Sequence, residues 1–171
     1  FILSVCALFL SVIQSAQAAI KLNEIFINPP GTDQGQEFIE LRSTTGGVEA
    51  MTGLKLIIIE GDTNGGVIDV VLDLDSFSTG TNGLFLWRDA ASVISPAPEV
   101  ATTLNVADFV PDIENGSNTY LIVSGFTGAV GNDLDTNNDG VLDTTPWTSV
   151  LDGVALIEND GASNWAYAAS L

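Results

Sequence analysis

The sequence predicts an all-β protein, a sandwich of seven or eight short strands. Three observations carry this. Runs of roughly four to eight apolar and β-branched residues follow one another, each closed by a Gly, Asn, Asp or Pro turn. No stretch sustains a helical period. The 171 residues, 46% of them hydrophobic, suffice for one domain with a substantial core.

The N-terminal segment stands apart from this fold. Phe1 to Ile13 is almost unbroken apolar sequence, and Gln14-Ser15-Ala16-Gln17-Ala18-Ala19 follows with small residues at 16 and 18, an A-x-A cleavage pattern. Residues 1–19 therefore read as a cleavable secretory signal peptide, entered partway through, since neither an initiator Met nor a basic region precedes the run. Without residues upstream of Phe1 the run is too short for a membrane span, which makes a membrane anchor the lesser expectation. Cys6, the single cysteine, would leave with the leader, so an exported mature chain would rely on core packing and bound metal instead of disulfides.

Residues 20–171 are expected to form one domain. Ile20 to Ile27 alternates in its first half and ends on Asn28-Pro29-Pro30-Gly31, a strong turn signal. Gln36 to Arg42 is a second strand, with a polar turn at Ser43 to Gly47. Gly53-Leu54-Lys55-Leu56-Ile57-Ile58-Ile59-Glu60 is apolar on both parities, as a strand covered on both faces must be. Asp62-Thr63-Asn64-Gly65-Gly66 reads as a hairpin turn into Val67 to Leu74, and Asn82-Gly83 opens Leu84 to Trp87. Between Arg88 and Gly116 the signal weakens: Ser95-Pro96-Ala97-Pro98 is an extended loop, and Leu104 to Ile113 is either a short helix or an irregular crossover. Thr119 to Ser124 is a buried strand, and Val154 to Glu158 is the last.

Charge narrows the functional classes. Four Lys and Arg oppose 22 Asp and Glu, with no histidine, for a formal charge of -18. Nucleic acid is disfavoured, because phosphate binding is driven by basic side chains releasing counterions. Anionic membrane surfaces are disfavoured for the same reason. A bound divalent cation would relieve part of the self-repulsion.

The clearest chemistry lies in Asp133-Leu134-Asp135-Thr136-Asn137-Asn138-Asp139-Gly140-Val141-Leu142-Asp143. Oxygen side chains fall on every second residue before a glycine turn, which is how a short loop wraps a hard cation such as Ca2+. With Asp135 first, Asn137 is third, Asp139 fifth, Gly140 at the turn, the Val141 carbonyl seventh, Leu142 inward at eighth and Asp143 ninth. This register resembles the calcium loops of EF-hands, dockerins and thrombospondin type 3 repeats. It departs from the EF-hand at the twelfth position, where Pro146 stands in place of a bidentate Glu. Asp133 or Asp152 would then complete the shell, with a dissociation constant on the order of 0.1 to 1 mM. Oxygen ligands favour calcium over softer-ligand metals without excluding magnesium or manganese.

Catalytic readings find little support. Glu37 and Glu40, three apart on one strand, point to opposite faces. Glu24 and Glu40 from neighbouring strands can converge as a glycosidase pair would, although strand-edge pairing with Lys21, Lys55 or Arg42 is the simpler expectation. Serine and threonine lack an evident base, and no phosphate cradle precedes a helix. Trp87, Trp147 and Trp165 allow a carbohydrate-binding module that stacks sugars on ring faces, but large aromatics in a sandwich more often fill the core.

Asn23-Glu24-Ile25, Asn28-Pro29, Gly31, Glu37-Phe38-Ile39-Glu40-Leu41 and Gly53-Leu54-Lys55-Leu56 together resemble the opening of a lamin-tail domain, the immunoglobulin-like sandwich also found in secreted bacterial proteins. Asn118 to Val123 and Leu151 to Leu156 resemble the closing strands of its bacterial branch. The likeness spans residues 20–158 apart from an irregular insertion near 88–116, and departs at Arg42-Ser43, where the family has a polar Asn. It implies an immunoglobulin-like fold and a secreted or cell-surface module without catalytic residues, often attached to extracellular nucleases or phosphoesterases. The expectation is a calcium-stabilised binding or architectural module that meets an extracellular protein or glycan. An accessory domain of a larger hydrolase, or a carbohydrate-binding module, is the alternative.

Overall fold

The computed structural model describes residues 20–31, 35–62, 65–158 and 164–167. The expected leader at 1–19, with Cys6, lies outside the described residues, as do Thr63 and Asn64 of the expected hairpin turn.

Eight strands are described: β1 (Ile20–Phe26), β2 (Phe38–Ser43), β3 (Leu54–Glu60), β4 (Ile68–Asp73), β5 (Leu84–Arg88), β6 (Thr103–Val106), β7 (Asn118–Ser124) and β8 (Ser149–Leu156). They form two four-stranded sheets, ordered β1-β2-β5-β6 and β4-β3-β7-β8. The protein is thus a β-sandwich, as the spacing of apolar runs and turns predicts.

Between the sheets lies the main core. Ile20, Ile39, Leu41 and Phe85 from the first sheet meet Leu56, Ile58, Val70, Tyr120 and Ile122 from the second. Each fully buried aliphatic side chain contributes roughly 1.5–3 kcal/mol relative to exposure. The other parity of the central strands, Ile57, Ile59, Leu121 and Val123, faces away from the first sheet and packs with Leu134 and Tyr167. Partly buried Phe126, Leu142, Trp147 and Trp165 complete this second cluster. The residues that follow β7 therefore roof the outer face of the second sheet, which explains why β3 reads as an uninterrupted apolar run.

The side of the sandwich where β1 meets β8 is closed by polar contacts. Lys21 Nζ donates to Asp152 Oδ1 at 3.1 Å and to the Leu151 carbonyl at 2.7 Å, and the Leu22 N–H donates to Asp152 Oδ2 at 2.8 Å.

Two expectations need correction. Of the segment Leu104 to Ile113, expected as a short helix or an irregular crossover, 107–113 is irregular, but 104–106 belongs to strand β6, paired parallel to β5 with Phe85 opposite Thr103 and Arg88 opposite Val106. It is only four residues long, and its apolar members Leu104 and Val106 are 44% and 46% exposed, so it shows no buried alternation. The last strand begins at Ser149, not Val154. Its partly exposed edge position lets Asp152 and Gly153 belong to it, despite their low strand propensity.

Asp69, on β4, carries a pH signature. Its Oδ2 is buried without a hydrogen-bond partner among the described residues. Burial, and then the nearby Glu114 charge, hold its carboxyl above the usual range. A folded-state pKa raised above the unfolded one means that ionised Asp69 opposes folding, and that protonation relieves the penalty as pH falls through the raised value. Asp69→Asn is therefore expected to melt higher than the parent at pH 7, with the difference shrinking toward the ordinary carboxylate pKa of about 3.9. Thermal melts across that range check this; a pH-independent difference would show that the shift does not govern stability.

Candidate metal centre

The 133–143 loop lies in the connection from β7 to β8, the position its sequence context predicts. Before it begins, the chain folds back along β4: the Gly131 N–H donates to the Ile68 carbonyl at 2.8 Å, and the Ile68 N–H to the Asn132 carbonyl at 2.9 Å. Asp133 then bridges Val67, and the Leu134 N–H donates to the Gly66 carbonyl at 2.9 Å. This approach is close enough to require glycine at 66. A Cβ there would lie 2.6 Å from the Asp135 Cβ, on a residue whose φ is +91°.

Asp135 is the hub of the loop and is fully buried. Its Oδ1 accepts the Asp139 N–H at 3.2 Å, and its Oδ2 accepts the Gly140 N–H at 2.8 Å. The same Oδ2 accepts the Tyr167 hydroxyl at 2.9 Å. Successive Asx turns shape the rest. Asn137 Oδ1 accepts the Asp139 N–H at 3.1 Å, Asp139 Oδ1 accepts the Val141 N–H at 2.9 Å, and Asp133 Oδ1 accepts the Asp135 N–H at 3.0 Å. The turn itself uses left-handed backbone, with φ of 54° at Asn138 and 84° at Gly140, and the Trp165 ring packs where a Gly140 side chain would stand. The Asp143 N–H donates to the Leu134 carbonyl at 2.7 Å and closes the loop, while its Oδ2 accepts the Thr136 N–H and hydroxyl at 2.9 and 2.7 Å.

The donor set suits a hard cation. Asp133, Asp135, Asn137, Asp139, the Val141 carbonyl and Asp143 offer oxygen alone, and a carboxylate has about four acceptor sites, so the amide bonds leave coordination capacity. The electrostatics point the same way. Burial first, then the Asp135 hydrogen bond and the charges of Asp135, Asp133 and Asp139, push the Tyr167 hydroxyl far above its usual range. The carboxylate charges oppose a phenolate and would favour a cation, whereas the burial that leads the shift opposes any charge. Val141 turns its side chain to solvent at 56% exposure, while Leu142 packs into the outer cluster as its place in the register predicts.

Asp152, considered as a completing ligand, is committed to Lys21 and Leu22 on β1. Asp133 is the one the structure keeps beside Asp135. Tyr167, Trp165, Thr136 and Gly66 were not visible as parts of this site. Trp165 and Tyr167 stand out as closing aromatics, but no local pattern ties them to a loop some 30 residues upstream.

Two tighter carboxylate groups occur elsewhere among the described residues: Glu37 with Asp89 and Asp112, and Glu60 with Asp62 and Glu114, each with oxygens within 4.8 Å of one another. The loop carboxylates are not gathered in this way, being fanned over their own amides. In the first group the acids anchor the 88–116 insertion: Asp89 accepts the Glu37 and Phe109 N–H groups at 2.8 and 2.9 Å, and Glu37 accepts the Ile113 N–H at 3.2 Å.

The expected strand-edge ion pairs are also redistributed. Lys21 pairs with Asp152 and Lys55 with Asp73, so neither serves Glu24 or Glu40. The tryptophans serve packing: Trp87 joins the main core with its indole N–H on the Ala107 carbonyl at 2.8 Å, and Trp147 and Trp165 cover the second cluster.

No protein-family model matches this chain, and no curated protein matches it. The lamin-tail likeness accordingly rests on the short segments quoted from the sequence.

Proposed function

We propose that the chain is an exported, non-catalytic binding or architectural module of lamin-tail type, in which the 133–143 loop takes a structural calcium ion. Asp135 carries this reading: a fully buried carboxylate at the first ligand position, accepting the amides of the fifth and sixth positions of an all-oxygen loop. The ion would be held by Asp133, Asp135, Asn137, Asp139, the Val141 carbonyl and Asp143. Its role is mechanical. Leu134 and Leu142 belong to the roof over the second sheet, and among the described residues that roof is tied to β4 through the pairing at residues 131–134 and to itself by isolated backbone bonds such as those from the Asp143 and Thr144 N–H groups to the Leu134 carbonyl. A cation drawing the acidic loop together would hold those leucines in place.

Terbium, a hard trivalent substitute for calcium, tests the location. Trp165 packs against Gly140, so excitation of tryptophan is expected to produce sensitised terbium emission that calcium displaces. Asp135→Ala with Asp139→Ala is expected to abolish the emission, and Trp165→Phe to remove most of it while calcium binding persists by calorimetry. Emission that survives the double substitution would place the ion elsewhere, at one of the tighter carboxylate groups.

A further inference from the structure

On the outer face of the β1-β2-β5-β6 sheet, the 93–99 segment arches over the strands and encloses a groove of about 580 Å³. That volume lies within the range of ligand sites. Its apolar walls are Phe26, Phe38, Leu84 and Leu86 from the strands and Pro96 and Pro98 from the arch. Phe26 and Phe38 stack across β1 and β2 with ring centroids 5.2 Å apart, and Phe26 remains 37% exposed.

Three carboxylates share this groove: Glu24, Glu40 and Glu99. Glu24 and Glu40 are direct cross-strand partners. Like charges placed opposite one another destabilise a sheet. Asn23 donates one hydrogen bond to Glu40, yet no basic residue lines the groove. Among the described ion pairs, Lys21 and Lys55 are engaged at Asp152 and Asp73. Arg42, the next outward residue beyond Glu40 on β2, is exposed and outside the lining. The groove lining thus holds a repulsive pair beside an aromatic platform and no basic side chain; Arg42 and Arg88 stand on the same sheet face outside it, with Arg88 donating to the Asp89, Ala90 and Ser92 carbonyls.

We propose that this groove binds an extended basic segment of another polypeptide, with an arginine or lysine head placed between Glu24 and Glu40 and its stem on Phe26 and Phe38. Charge complementarity selects this occupant. A cation over an aromatic ring gains from the ring quadrupole, and a guanidinium matches two carboxylates by its planar fork. A second copy of this chain is opposed by its charge of -18. The proposal gives the binding module a partner class. It rests on a different sheet from the metal loop, so its failure would leave the calcium reading intact, and the converse also holds.

The test uses a fluorescein-labelled hexa-arginine peptide at about 150 mM salt, where long-range attraction between exposed charges is screened beyond about 8 Å. Glu24→Gln with Glu40→Gln is expected to raise Kd about tenfold or more, equivalent to about 1.4 kcal/mol. The charge-matched control Glu49→Gln with Glu158→Gln is expected to change Kd by less than about twofold, as binding directed at the groove requires. Phe26→Leu, which keeps every charge, is expected to weaken binding severalfold through the lost ring face. In the free protein the groove double substitution should raise the melting temperature, because it removes the opposed charges. Equal weakening by both double substitutions would reduce the interaction to net charge and overturn the proposal. So would peptide-independent self-association through this face, or binding unaffected by Phe26→Leu.

Discussion

Asp135→Ala is expected to lower stability by about 3 kcal/mol in the presence of chelator, before any metal is considered. The estimate follows from what the side chain holds. Three donors converge on it, the Asp139 and Gly140 amides and the Tyr167 hydroxyl. Hydrogen bonds to charged acceptors contribute roughly 1.5–3 kcal/mol each. The two amides lie in a loop whose outer residues are exposed and can be rehydrated, whereas Tyr167 is fully buried and its hydroxyl would be stranded. For a domain of this size the loss corresponds to a fall of about 6–12 °C in Tm. Asp139→Ala, at an exposed position of the same loop, is expected to cost about 1 kcal/mol or less under the same conditions. Urea unfolding of the two variants separates the cases. Similar small losses in both would mean that Asp135 is not the hub.

Leu134→Ala is expected to cost about 2–5 kcal/mol, the range for removing a buried aliphatic side chain and leaving a cavity. Leu134 is 2% exposed and packs with Ile57, Ile59, Ile68, Leu121 and Val123 on the outer face of the second sheet. This is a large effect for a loop residue flanked by aspartates, and that is its value: if the segment were merely solvated connection, truncation would change stability by no more than about 0.5 kcal/mol. Denaturant midpoints at constant m-value measure it. A drop in m would indicate instead that the roof detaches while the sandwich stays folded.

The two substitutions also show how the sequence encodes this region. The spacing of Asp135, Asn137, Asp139 and Asp143 is legible because ligand loops obey a local rule, and the turn at Gly140 follows from the same rule. That Leu134 and Leu142 point into a core is legible only in part, since a pair of leucines in an acidic loop has no periodicity. The Tyr167 hydroxyl is 32 residues from Asp135 along the chain, and no local pattern encodes that contact. Similarly, β3 was recognisable from apolar residues on both parities, although the sequence does not say that a loop, instead of a third layer of secondary structure, covers its outer face. β6 escaped recognition because an exposed four-residue edge strand leaves no buried period. The groove over Glu24 and Glu40 needed the pairing register: only once β1 lies against β2 do two glutamates 16 positions apart become neighbours.

The fold places the two candidate sites on opposite outer faces. One sheet carries the acidic 133–143 loop with Trp165 and Tyr167 packed on it, and the other carries the acidic, aromatic groove. Stability of the first face and recognition by the second can therefore be perturbed separately, and mutations at the two sites are expected to be additive because they share no partners.

Thermal melting in calcium against chelator shows whether the 133–143 loop acts as a calcium-drawn roof over the second sheet. For a dissociation constant on the order of 0.1 to 1 mM, about 10 mM calcium stabilises the folded state by about 1.4–2.7 kcal/mol, which raises Tm by about 3–11 °C. That rise is expected in the parent protein and is expected to be lost when Asp135→Ala is combined with Asp139→Ala; superimposable melts of the parent in calcium and in chelator would mean that the loop holds no calcium.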